Sequence, residues 1–113
     1  MLAGILNYNT GNLNSVRAAL NYYSIKNIIV EKKEHFKNID LLILPGVGSF
    51  GRAMRYIDEK NLKELILDFS EKKYLIGICL GYQILYEESE ESPGVKGLGL
   101  IKGSIKRINS INH

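Results

Sequence analysis

The sequence has a single cysteine, Cys79, so an internal disulfide is excluded, and a lone thiol of this kind fits a reducing compartment. Histidine is almost as scarce: His35 and the terminal His113 are the only two. No apolar run approaches the length of a membrane span. The N-terminus opens directly on strand-like residues without a signal-peptide pattern, and the expectation is a cytoplasmic protein. No internal repeat, low-complexity tract or linker divides the chain, and 113 residues suffice for one domain, 1–113, with one modest core. A large excess of one sign of charge is missing too. The formal charge is +3, but lysines alternate with acids in Glu31-Lys32-Lys33-Glu34 and Asp58-Glu59-Lys60, the pattern of a solvated face rather than of a nucleic-acid surface.

What the chain does have is four short apolar runs, Leu2–Leu6, Ile28–Val30, Leu41–Leu44 and the stretch from Tyr74: the first is of the kind that forms a parallel strand covered on both faces, the second reads as another buried strand, and the other two as the third and fourth strands. Helical spacing lies between them. Leu13, Val16, Ala19, Leu20 and Tyr23 recur at three and four, with Asn12 as N-cap; Phe50, Met54 and Ile57 begin a second helical stretch, and Leu62, Leu65, Ile66 and Phe69 a third. Strands alternating with helices predict an α/β doubly wound, mainly parallel sheet in a flavodoxin-like order, with glycine-rich loops at the carboxyl ends of strands where such sheets bind ligands. Ile84, Leu85 and Tyr86 are expected to continue a helix into the exposed acidic run Glu87–Glu91. Alternation from Leu98 to Ile108 around Gly103 predicts a strand or hairpin. His35, among charged neighbours, is read as solvent-facing.

The stretch Gly77-Ile78-Cys79-Leu80-Gly81 has the glycine spacing of a nucleophile elbow, in which residues two before and two after the nucleophile carry no bulk. A helix beginning at Leu80 would aim its positive dipole end at the thiol and favour the thiolate. The Leu80 amide is a candidate oxyanion donor. The competing reading is a buried cysteine that ends a strand; two glycines at elbow spacing are hard to explain by packing alone. Upstream, Gly46-Val47-Gly48-Ser49-Phe50-Gly51 is formally G-x-G-x-x-G after a strand. A dinucleotide site would also want a following strand that ends in an acid, and that strand ends at Cys79 instead. The glycines leave the backbone of Gly46, Val47 and Gly48 bare enough to approach a ligand; a tight strand-to-helix turn is the plainer reading, and the two are compatible.

Gly77-Ile78-Cys79-Leu80-Gly81-Tyr82-Gln83 resembles the nucleophile motif of class I (triad-type) glutamine amidotransferases. Three further stretches sharpen the resemblance toward the glutaminase subunits of imidazole glycerol phosphate synthase in histidine biosynthesis: Tyr8-Asn9-Thr10-Gly11-Asn12-Leu13, Leu44-Pro45-Gly46-Val47-Gly48-Ser49-Phe50, and Glu87-Glu88-Ser89-Glu90-Glu91 followed by Gly97-Leu98-Gly99. It runs over the whole chain but over only the first part of the family's longer domain, so a fragment or truncated product, with the sheet cut off on its C-terminal side, is expected.

The resemblance implies that Cys79 attacks the side-chain amide of glutamine and that main-chain amides around Val47 and at Leu80 hold the oxyanion. One such donor is typically worth about 10²–10³ in rate. It further implies that Gln83 and Glu91 contact bound glutamine, Glu91 at the α-ammonium. Ammonia then passes to a (βα)-barrel cyclase subunit in a heterodimer, with the loop Tyr8–Asn12 on the side that meets it. No metal or organic cofactor, nucleic acid or membrane is implied. The family's base, a His and a Glu in a His-x-Glu pattern, comes from well after the elbow. Neither His35 nor His113 lies in such a pattern, so neither is taken as the base, and the chain alone is expected to be impaired. Tyr82 stands where the family usually has Met. Two alternatives remain open: a non-catalytic α/β module that binds a partner, and an amidotransferase of another pathway.

Overall fold

The computed structural model describes residues 1–8 and 13–108; the Asn12 cap, most of the loop Tyr8–Asn12, and His113 lie outside the described residues. Strands Leu2–Leu6 (β1), Lys26–Val30 (β2), Leu41–Leu44 (β3) and Tyr74–Gly77 (β4) form one sheet in the order β2-β1-β3-β4, and every pair is parallel. This is the flavodoxin-like order expected from the alternating pattern.

Register divides the sheet residues between two faces. Gly4 pairs with Ile28 and Leu42, and Leu42 with Leu75; their face joins the main core with α2 (Phe50–Glu59) and α3 (Lys63–Lys72). Ile5 pairs with Ile29 and Ile43, and Ile43 with Ile76, on the opposite face. Phe50, Ala53, Met54 and Ile57 are all buried, which is the apolar stripe of a helix lying on a sheet. Helix α1 (Leu13–Tyr22) is seated less deeply. None of its residues is fully buried; Leu13, Val16 and Leu20 are half-buried, while Ala19 and Tyr23, placed on the same stripe by spacing, are exposed. At the far end of that face, Tyr74, Ile76 and Ile78 are 80%, 44% and 42% exposed. No helix among the described residues is long and apolar enough to cross a membrane.

The chain after the elbow departs from expectation. Helix α4 is a single turn, Leu80–Gln83, and the helix expected through Tyr86 gives way to β5 (Tyr86–Ser89). β5 pairs in parallel with β6 (Ile101–Ile105), so the expected strand or hairpin after Leu98 is one strand of a separate two-stranded sheet. Long-range bonding overrides local spacing here. Leu98 N–H donates to Ile84 O at 2.8 Å, Gly97 N–H to Glu87 O at 2.8 Å and Gly99 N–H to Tyr86 O at 3.2 Å. The acidic run is likewise more than an exposed helix end, since Glu87 Oε1 accepts from Gly103 N–H at 2.9 Å and Glu90 Oε1 from Arg107 N–H.

At the opposite edge of the sheet from the glycine loops, Asp40 ties three strands together. Its Oδ2 accepts from Leu2 N–H at 2.8 Å, and Lys73 Nζ lies 3.8 Å from Oδ1 while donating to Ile39 O at 3.0 Å. The Leu2 amide holds the Asp40 carboxyl below its ordinary value, opposed by desolvation and helped by the smaller effect of the Lys73 charge. A carboxyl with a lowered folded-state pKa stabilises the fold above its unfolded value, and that contribution is lost as pH falls through the folded one. Asp40→Asn is therefore expected to flatten the fall in urea midpoint on acidification below about pH 4. Parallel acid branches for the variant and the parent would refute this.

Candidate active site

Two loops at the carboxyl ends of neighbouring strands build the site. Beyond the last paired residues of β3 and β4, hydrogen bonding continues: Ile78 N–H donates to Leu44 O at 2.9 Å and Leu80 N–H to Gly46 O at 3.2 Å. Cys79 lies between these two bonds, exposed, at φ 54° and ψ −114°. A residue with a side chain in that region costs of order 1–3 kcal/mol, and such strain collects at functional sites. The alternative of a buried strand-ending cysteine is therefore set aside by its exposure and backbone.

The elbow glycines have a steric reason. A Cβ on Gly81 would lie 1.7 Å from the Leu44 carbonyl oxygen, and one on Gly77 would lie 2.6 Å from the Gly81 carbonyl oxygen. Strand, tip and helix thus close on themselves with no room for a methyl group. The helix expected to aim its dipole at the tip has only one turn, and the field of so few peptide units is small.

The Pro45–Ser49 loop meets the elbow from the other side. Gly46 is buried, with φ 122°; Val47 is 59% exposed, and Gly48, with φ 120°, is exposed, with nothing within 4 Å of where a Cβ would lie. The Leu80 amide, expected to serve as an oxyanion donor, is occupied by the Gly46 carbonyl in this conformation. Tyr8 is buried at the end of β1 and donates its hydroxyl hydrogen to Pro45 O, which pins the start of the loop. The sequence puts Tyr8 in a loop on the partner-facing side, whereas the structure buries it. The signal was its position at the end of β1, next to β3 in the sheet.

Glu91 has a second partner not foreseen from the sequence. Its Oε1 accepts from Phe50 N–H at 2.8 Å, Ser92 Oγ accepts from Gly51 N–H at 2.9 Å, and Ser49 Oγ accepts from Arg52 N–H at 3.1 Å. The first turn of α2 is capped mostly from a distant segment, with a carboxylate at the positive end of its dipole. Amides so occupied are not presented to a pyrophosphate, which agrees with rejecting a dinucleotide site. Gln83 and Glu91 do come together: both line a cavity of about 510 Å³ with Glu90, Ile105, Lys106 and Arg107. Gln83 N–H donates to Cys79 O at 3.1 Å, so this cavity adjoins the elbow. Val47 and Gly48 line a second cavity of about 370 Å³ with Tyr8, Arg52 and Tyr56.

His35 lies elsewhere. It is half-buried, rather than solvent-facing as expected, in the 3-10 turn Lys33–Phe36 after β2, and its Nδ1 accepts from Glu31 N–H at 3.0 Å. Three strand spacings separate β2 from β4, on the order of 14 Å. Tyr82, half exposed beside the elbow, has its hydroxyl 2.6 Å from that of Tyr86, an edge-to-face ring pair that joins α4 to β5. Tyr86 is thereby pushed above its ordinary value, since the bond to Tyr82 favours the protonated phenol. Because Gly81 packs against backbone, Gly81→Ala is expected to cost at least about 2 kcal/mol, read as a lower urea midpoint. A loss below about 0.5 kcal/mol would show that the elbow relaxes without disturbing β3.

Comparison with known proteins places this geometry. The chain is 46% identical over 110 residues to imidazole glycerol phosphate synthase subunit HisH of Bacillus subtilis, an alignment covering 96% of this chain and 52% of that protein. It is 45% identical over 111 residues to the subunit of the same name in Methanocaldococcus jannaschii, covering 97% and 55%. The chain thus spans about half the length of the curated relatives it matches. Among solved structures, a crystal structure of a glutamine amidotransferase superposes with a TM-score of 0.79 at 26% identity, over 93% of this chain and 56% of that one. A putative peptidase E from Listeria monocytogenes shares the fold, with a TM-score of 0.65 at 13% identity over 76% and 50%. The family model of CobB/CobQ-like glutamine amidotransferase domains matches residues 1–109, and the chain belongs to that family.

Proposed function

We propose that this chain is the elbow-bearing part of a glutaminase subunit of imidazole glycerol phosphate synthase, acting in the cytoplasm in histidine biosynthesis. The observation that carries the reading is the strained, exposed Cys79 between two glycines that admit no side chain, in a chain 46% identical to a HisH subunit. Cys79 Sγ attacks the side-chain carbonyl carbon of glutamine. The carbonyl oxygen becomes an oxyanion held by main-chain N–H groups of the Val47 region and Leu80. For Leu80 to take part, its N–H must leave the Gly46 carbonyl, so the glycine loop has to shift as substrate arrives. The C–N bond breaks, the nitrogen takes a proton and departs as ammonia, and water hydrolyses the thioester to glutamate and free thiol. Ammonia passes to a cyclase subunit in a heterodimer.

A general base must take the thiol proton and return one to the leaving nitrogen. His35 is not that base, because its Nδ1 is engaged by Glu31 and it follows the far strand of the sheet. A diazo-ketone analogue of glutamine is expected to label Cys79 saturably and faster than free cysteine at matched pH, whereas a polypeptide of these 113 residues mixed with the cyclase should release no more than about one glutamate per chain. Labelling no faster than free cysteine would sink the nucleophile assignment. Multiple turnovers abolished by Cys79→Ala would show that the cyclase completes the base.

A further inference from the structure

We propose that the hydroxyl pair of Tyr82 and Tyr86 positions the peptide between Cys79 and Leu80, keeping the Leu80 N–H aimed at the oxyanion while the glycine loop moves away. The inference rests on the glutaminase reading and gives that reaction two positioning residues, neither of which lines the cavity of Gln83 and Glu91. The peptide is held at both ends. Its N–H, at Leu80, donates to Gly46 O at 3.2 Å; its carbonyl, at Cys79, accepts from Tyr82 N–H at 3.0 Å and from Gln83 N–H at 3.1 Å. When the N–H leaves Gly46 for substrate, the carbonyl end is the anchor that remains. A peptide unit is planar, so whatever fixes its C=O also sets the direction of its N–H. The aim of the Leu80 donor then depends on Tyr82.

Helix α4 is a single turn, too short to hold its own shape in water. Tyr82 is steadied instead by its side chain. Its hydroxyl lies 2.6 Å from that of Tyr86, with the two rings edge to face at 5.4 Å. On the other side its backbone is confined, since a Cβ on Gly77 would lie 2.8 Å from Tyr82 Cα. Tyr86 is the fixed member of the pair. It opens β5, pairs with Ile101 of β6 and accepts from Gly99 N–H at 3.2 Å; its ring lies across Gly103, where a Cβ would be 3.8 Å from Tyr86 Cδ2. The tie thus runs from the small sheet through two phenols to the carbonyl of the nucleophile. Tyr82 is 48% exposed, so its ring is not there to fill the core. The Met usual in its place in the family has no hydroxyl and could not make this bond.

The experiment compares two reactions of Cys79 in the whole chain, each with the rate of Cys79→Ala subtracted. The thiolate attacks para-nitrophenyl acetate at its carbonyl carbon, passes through an oxyanion and expels nitrophenolate, which needs no proton to leave. Iodoacetamide is attacked at a saturated carbon and loses iodide without forming an oxyanion. Tyr82→Phe and Tyr86→Phe, which keep both rings, are each expected to slow acylation about fivefold, the worth of one neutral hydrogen bond, and to leave alkylation within about twofold. The doubly substituted variant should be no slower than either single one, because each change breaks the same bond. Unchanged acylation, an equal fall in both reactions, or losses that multiply in the double variant would each overturn the assignment. Saturable labelling of the parent by the diazo-ketone analogue of glutamine beside any of those results leaves the glutaminase reading intact. Failure of the parent to label saturably overturns both.

Discussion

Two hydrogen bonds past the ends of β3 and β4, from Ile78 to Leu44 and from Leu80 to Gly46, are the constraint on which the site depends. A parallel ladder ordinarily stops where the strands part. Here it continues through the reversal of the chain, so Cys79 is the residue left between two successive rungs and its backbone has to take up the mismatch. The same rungs hold the glycine loop. Any movement that frees the Leu80 amide must also change the support of the cysteine, which couples the glycine loop to the set of the thiol.

A second dependence runs through α2. Its first amides are satisfied by Glu91 and Ser92, residues that follow β5, while Ser49 caps from within the loop. The small sheet β5-β6 is therefore more than an appendage. The segment that follows β5 supplies acceptors for the helix that begins where the glycine loop ends, and Lys106 and Arg107 follow β6 directly. Glu91 has a structural partner at one oxygen, so a substitution there would disturb the helix start as well as any ligand contact.

Much of this was legible in the chain, for definable reasons. The four strands of the main sheet could be read because each is a short continuous apolar run, although β4 leaves Tyr74 and Ile76 exposed, and the elbow because its glycines are demanded by sterics that leave a fixed spacing. What failed was whatever depended on partners distant in sequence. Ile84, Leu85 and Tyr86 keep helical spacing, yet they are claimed by hydrogen bonds to Leu98, Ile101 and Gly99, residues that no local window includes. The parallel pairing of β5 with β6 was missed on the same ground, and so was the Tyr8 hydroxyl on Pro45. The stripe on α1 shows the converse error. Its spacing was sound for Leu13, Val16 and Leu20, but the helix ends at Tyr22 and Tyr23 beyond it is exposed.

Among the described residues β4 is an outer strand, bonded to β3 on one side, with Tyr74, Ile76 and Ile78 exposed. Strands of this kind open locally more readily than those flanked on both sides, because fewer backbone bonds and less buried apolar surface oppose their separation. The elbow hangs from that strand. Amide hydrogens from Tyr74 to Gly77 would then exchange with solvent through excursions too small to unfold β1 or β3, and each excursion would release the strained turn at its tip. Rigid presentation of the thiol is thus set by whatever covers the β4 face more than by the core beneath α2.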